Sequence, residues 1–70
     1  MRIEVNGESR EVVEALTLEQ LTVQLSLAPE RLAIELNREV VRRANWPQVV
    51  LRDGDRVEIV HFVGGGNSEQ

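Results

Sequence analysis

An α+β fold, with one main helix packed on one face of a mixed sheet of four to five strands, is predicted by three features of this 70-residue chain. Apolar residues alternate with polar ones near both ends, as in strands with one buried face. Around residues 16 to 25 the apolar spacing lengthens to three and four, as on a helix with one buried stripe. The stretches between carry Asn-Gly, Pro and Asp-Gly-Asp, which mark turns.

Met1, Ile3 and Val5 alternate with Arg2, Glu4 and Asn6 to give the first strand. Asn6-Gly7 is the strongest short hairpin signal, so residues 9 to 13 are expected to pair back as the second strand. Thr17 followed by Gln20 reads as a capping box, and Leu16 with Leu21 as the hydrophobic staple that accompanies it. The helix then presents Leu18, Leu21 and Leu25 to a core, with Val23 toward the flank, and Pro29 with the preceding Ser26-Leu27-Ala28 ends it or begins a new short turn. Leu32, Ile34 and Leu36 define a third strand, and Val40-Val41 a short fourth after the turn at residues 37 to 39. Pro47 disfavours helix at Trp46, so residues 45 to 47 are expected to be an irregular crossing with Trp46 as a lid over one end of the core. Asp53-Gly54-Asp55 is a turn, and the β-branched run at residues 56 to 63 is the last strand. The order strand, strand, helix, strand, short strand, loop, strand is that of the β-grasp, or ubiquitin-like, architecture. The domain is expected to span residues 1 to 63, with 64 to 70 as a flexible tail.

Composition narrows the chemistry. A chain of this length buries only about 60% of the surface that its unfolded form exposes, and zero cysteines exclude disulfides, thiolate metal sites and a cysteine nucleophile. The net charge is −4, and the eight basic residues are all arginines scattered along the chain, which argues against nucleic acid as a partner. The absence of lysine suits a protein that carries an activated acyl group, although a codon bias toward arginine accounts for it more simply. No apolar run approaches the ~20 residues of a membrane span, and the N-terminus lacks a signal pattern. A soluble cytoplasmic protein, without a membrane partner, is expected.

Along the last strand, Val57 and Ile59 share one face while Glu58, Val60 and Phe62 share the other. Glu58 marks that second face as the solvent side, because burying an unpaired carboxylate costs several kcal/mol. Val60 and Phe62 are therefore expected to be exposed, either as ordinary surface hydrophobes or, with Glu58, as a partner-docking patch. His61 lacks a catalytic partner at a defined spacing and is expected to pack at the edge of the helix side.

Three glycines follow. A glycine run is compatible with a loose linker, and also with threading through a slot too narrow for side chains. From Val63 to the carboxyl of Gly66 an extended arm reaches roughly 10 Å. The second reading assigns Gly64 and Gly65 to threading and Gly66 to the reacting end.

The short hairpin at residues 5 to 8, the strand Ala33-Ile34-Glu35-Leu36-Asn37, the run at residues 51 to 60 and the ending His61-Phe62-Val63-Gly64-Gly65-Gly66 together resemble the ThiS family, the sulfur carriers of thiamine biosynthesis. These are relatives of ubiquitin and of the molybdopterin-synthase small subunit. The resemblance implies a carrier rather than an enzyme. In such a carrier the terminal glycine carboxylate is adenylated by an E1-like (ThiF-like) enzyme, a sulfurtransferase relay displaces AMP, and the thiocarboxylate supplies sulfur to thiazole synthase (ThiG-like). ATP and Mg would belong to the adenylating partner, with no cofactor or metal bound by this chain. The family's chains end at the glycine, whereas Asn67, Ser68, Glu69 and Gln70 follow here and block Gly66 while that peptide bond stands. A processing protease, an artificial or unusual gene end, or loss of carrier function would each account for them. A molybdopterin-synthase-type carrier and a non-catalytic β-grasp binding module are the alternative readings.

Overall fold

Asn6 and Gly7 both adopt positive φ, 50° and 83°, in the computed structural model, which describes residues 1 to 62. Two successive left-handed residues are the signature of a type I′ turn, whose twist matches that of the strands it joins. Here it links β1 (Arg2–Val5) to β2 (Glu8–Glu11) in an antiparallel hairpin. β2 is shorter than the expected run at 9 to 13, and all four of its residues are exposed. Val12 leaves the sheet by donating its N–H to the Met1 carbonyl at 2.8 Å and turns its side chain into the core. A short, charged edge strand of this kind resists pairing with other chains.

α1 (Leu18–Gln24) starts as its sequence requires. Thr17 Oγ1 accepts from the Gln20 amide at 3.1 Å, and Gln20 Oε1 accepts from the Thr17 amide at 3.0 Å, closing the capping box. Leu16, Leu18 and Leu21 are buried, and Leu25 packs against the same core from the C-cap position. Two positions depart from the expected stripe: Val23 is 72% exposed, and Thr22 is fully buried. The polar atom of Thr22 is satisfied within the helix, where Oγ1 donates to the Glu19 carbonyl at 2.7 Å.

α1 ends at Gln24, five residues before Pro29. Ser26 takes φ of 59°, its amide bonds the Val23 carbonyl, and the Leu27 amide bonds the Thr22 carbonyl. These two bonds form a Schellman motif with serine where glycine is usual.

β3 (Leu32–Leu36) and β4 (Glu39–Val41) form a second hairpin, turned by Asn37 and Arg38 at φ of 51° and 73°. β5 (Arg56–His61) then enters the centre of a sheet ordered β2-β1-β5-β3-β4. It runs parallel to β1 and antiparallel to β3. The mixed sheet with one main helix between its two hairpins is the β-grasp architecture. The core lies between sheet and helix and includes Ile3, Val5, Ile34, Leu51, Val57 and Ile59.

Trp46 is a core residue rather than a lid. It is 2% exposed, and its indole Nε1–H donates to the Val41 carbonyl at 2.9 Å. The surrounding segment is also more ordered than an irregular crossing, because residues Arg43–Gln48 form a 3₁₀ turn that contains Pro47 and packs against α1. A short 3₁₀ turn tolerates proline where an α-helix interior would lose a backbone hydrogen bond and clash.

Candidate functional site at the exposed face and exit of β5

β5 has one buried and one open side. Val57 and Ile59 are buried at 0% and 7% exposure, whereas Val60 and Phe62 are 56% and 57% exposed and Glu58 is also exposed. The alternation follows from the pleat, and it places the three candidate docking residues on the side away from the core. His61, by contrast, is exposed and does not pack at the edge of the helix side.

The antiparallel register extends the face sideways, because residues directly opposite one another share a side of the sheet. Val60 lies opposite Ala33, Glu58 opposite Glu35, and Glu35 opposite Val40. Val40 is 71% exposed. The apolar pair Val60 and Phe62 is therefore bordered by a cross-strand pair of carboxylates, Glu35 and Glu58. Like charges placed directly opposite oppose folding, and this pair gives the patch an acidic rim. Glu35, Ala33 and Val40 were not singled out in the sequence as site residues. The alternation along β3 contained the signal, but the register that brings them beside β5 is non-local.

Backbone pairing fixes the strand up to its exit. On the β3 side the Phe62 amide donates to the Arg31 carbonyl at 2.8 Å. On the β1 side Asn6 Oδ1 accepts from the Ile59 amide at 2.7 Å, and Asn6 Nδ2 donates to the Ile59 carbonyl at 3.3 Å. The turn at residues 53 to 55 anchors the other end of the strand. Arg2 donates its amide to Asp53 Oδ1 at 2.8 Å, the Gly54 amide donates to the Arg2 carbonyl at 2.8 Å, and Asp55 Oδ2 accepts from the Arg52 amide at 2.8 Å. Gly54 sits at φ of 90°, a conformation that favours glycine.

Gly64, Gly65 and Gly66, and the division into a domain at 1 to 63 and a tail at 64 to 70, lie outside or extend beyond the described residues. Among the described residues no cluster of three His, Cys, Asp or Glu side chains could hold a metal ion, and no helix is long and apolar enough to cross a membrane.

Comparison with known proteins agrees with this fold. The family model described as the ThiS family matches residues 3–66, so the match runs to Gly66. A thiazole synthase of Magnetococcus marinus is 46% identical over 66 residues, covering 94% of this chain and 20% of that protein. The chain thus spans about a fifth of the length of the thiazole synthases that it matches. The sulfur carrier protein ThiS of Bacillus subtilis is 38% identical over 50 residues, covering 71% of this chain and 76% of that one. The crystal structure of the thiamine biosynthesis protein ThiS from Geobacter metallireducens superposes with a TM-score of 0.83 at 38% identity, covering 94% of this chain and all of that one. A family match over nearly the whole chain and a close superposition on a structure of that family converge, and the chain belongs to the ThiS family.

Proposed function

We propose that this chain is a sulfur carrier for thiazole formation in thiamine biosynthesis, a protein substrate rather than a catalyst. The reacting group is the carboxylate of Gly66, freed of residues 67 to 70. An adenylating partner that uses ATP and Mg joins a carboxylate oxygen to the α-phosphate and releases pyrophosphate. A persulfide sulfur from a sulfurtransferase then attacks the acyl carbon and AMP leaves. Cleavage of the sulfur–sulfur bond by a thiol leaves the thiocarboxylate, which thiazole synthase takes as its sulfur source. No side-chain thiol of the carrier takes part, in keeping with a sequence that has no cysteine.

The observation that carries this reading is the ThiS-family match through Gly66. Thiazole synthases that contain a segment similar to this chain support that enzyme as the partner. The exposed Val60 and Phe62, with Glu58 and Glu35 beside them, support docking through the open face of β5. Their chemistry fits a partner surface with an apolar recess flanked by arginine or lysine, since complementary charge steers encounter and fixes orientation.

Binding of the full chain to purified thiazole synthase, compared with binding to the large subunit of a molybdopterin synthase, tests the assignment. Binding to the synthase alone is expected. Preference for the molybdopterin-synthase subunit, or binding to neither, contradicts it.

A further inference from the structure

The end of β5 is held on its two sides by different means. Toward β3 it is paired by a main-chain ladder that continues to Phe62. Toward β1 the parallel pairing stops at Val5 opposite Val57, because the chain turns away at Asn6. The Asn6 amide still donates to the Val57 carbonyl at 2.9 Å, but its positive φ accompanies a main chain that no longer follows β5. Its side chain takes over. Oδ1 and Nδ2 bond the amide and the carbonyl of Ile59, so one carboxamide supplies the acceptor and the donor that a continuing strand would have supplied. Both backbone groups of Ile59 are thereby satisfied, with the carboxamide oriented in the one way that matches donor to acceptor.

Asn37 uses a related device on the opposite side, with the donor from its main chain and the acceptor from its side chain. At φ of 51° it donates its amide to the Arg56 carbonyl at 2.8 Å, while its Oδ1 accepts from the Arg56 amide at 2.9 Å. The two asparagines, one from each hairpin turn, thus grip β5 at Arg56 and at Ile59. Only the Asn6 grip lies beside the functional end of the strand, next to Val60 in sequence and three residues before Phe62.

We infer that Asn6 is a positioning residue that mimics a strand, holding Ile59 so that Val60 and Phe62 are presented to the adenylating partner in a fixed orientation. This role rests on the carrier reading proposed above. Without the side chain, the exit of β5 would be tied to the sheet from the β3 side alone, and the patch would pay an ordering cost on docking.

Asn37 provides the internal control. Glycine accepts positive φ, so Asn6→Gly and Asn37→Gly each remove a carboxamide without straining the turn. In the full chain, Asn6→Gly is expected to speed hydrogen exchange at the Ile59 amide about tenfold, the factor that corresponds to losing one net hydrogen bond. The Val57 amide is expected to keep its protection. Affinity for the purified adenylating enzyme should fall about fivefold or more for Asn6→Gly and stay within twofold for Asn37→Gly, at comparable loss of global stability. Unchanged exchange at Ile59 overturns the clamp, and equal affinity losses in the two glycine variants overturn the positioning role. A wild-type chain that does not bind the enzyme overturns the carrier reading and the positioning role with it, while exchange at Ile59 still decides the clamp.

Discussion

Replacing Trp46 by phenylalanine separates the two contributions of this residue to the core. The indole is 2% exposed and donates to the Val41 carbonyl at 2.9 Å. Removing the donor leaves a part-buried carbonyl without its partner, at a cost of about 1 to 3 kcal/mol. The smaller ring leaves a void of about 40 Å³, which at ~24 cal/mol per Å³ adds about 1 kcal/mol. The expected total, about 2 to 4 kcal/mol, is a large part of the roughly 3.5 to 10 kcal/mol that 70 residues ordinarily supply at ~0.05 to 0.15 kcal/mol each. Urea denaturation followed by circular dichroism measures the loss, and the melting temperature should drop by about 4 to 8 °C per kcal/mol. Trp46→Ala, at about 3 to 5 kcal/mol, should leave much of the protein unfolded. A Trp46→Phe variant within about 0.5 kcal/mol of wild type would refute the assignment of Trp46 to the core and return it to a dispensable lid.

Phe62→Asp should keep stability within about 0.5 kcal/mol, as expected for an exposed position, while weakening capture by the adenylating enzyme. A large fall in melting temperature would place Phe62 in the core instead. Glu35→Gln removes half of the cross-strand carboxylate pair and should raise stability by about 0.2 to 1 kcal/mol while slowing association with a basic partner at low salt; lower stability would contradict the repulsion. Ser26→Gly relieves a left-handed residue in the Schellman motif and should add about 0.5 to 1 kcal/mol in chemical denaturation. A destabilised Ser26→Gly variant would show that the serine side chain does more than tolerate the turn.

What could be read from the sequence was mostly local. The Asn6-Gly7 hairpin, the Thr17 and Gln20 capping box and the turn at residues 53 to 55 each depend on a few neighbouring residues and are found where their chemistry demands, and Leu16 and Leu21 are both buried. The outward direction of Glu58, Val60 and Phe62 was equally legible, because strand alternation needs no knowledge of the partner strand. The helix end was legible from Ser26-Leu27-Ala28 and Pro29, but the left-handed turn at Ser26 was not, since serine carries no left-handed signal. The exposure of His61 was not signalled by the alternation, which puts it on the same face as the buried Val57 and Ile59. The second role of Asn6 was invisible for a different reason: a turn residue bonds whatever strand lies beside it, and that neighbour is brought in by parallel pairing with β5, some fifty residues away. Glu35 and Val40 join the face through the same kind of distant register.

The central claim is that Gly66 becomes a chemical terminus that carries sulfur. Intact mass spectrometry of the untagged protein isolated from its native host tests this most directly. A chain ending at Gly66, or at Gly65 if trimming goes further, is expected, with part of the population carrying sulfur in place of one carboxyl oxygen. Finding only the chain through Gln70, with no thiocarboxylate, would contradict the account.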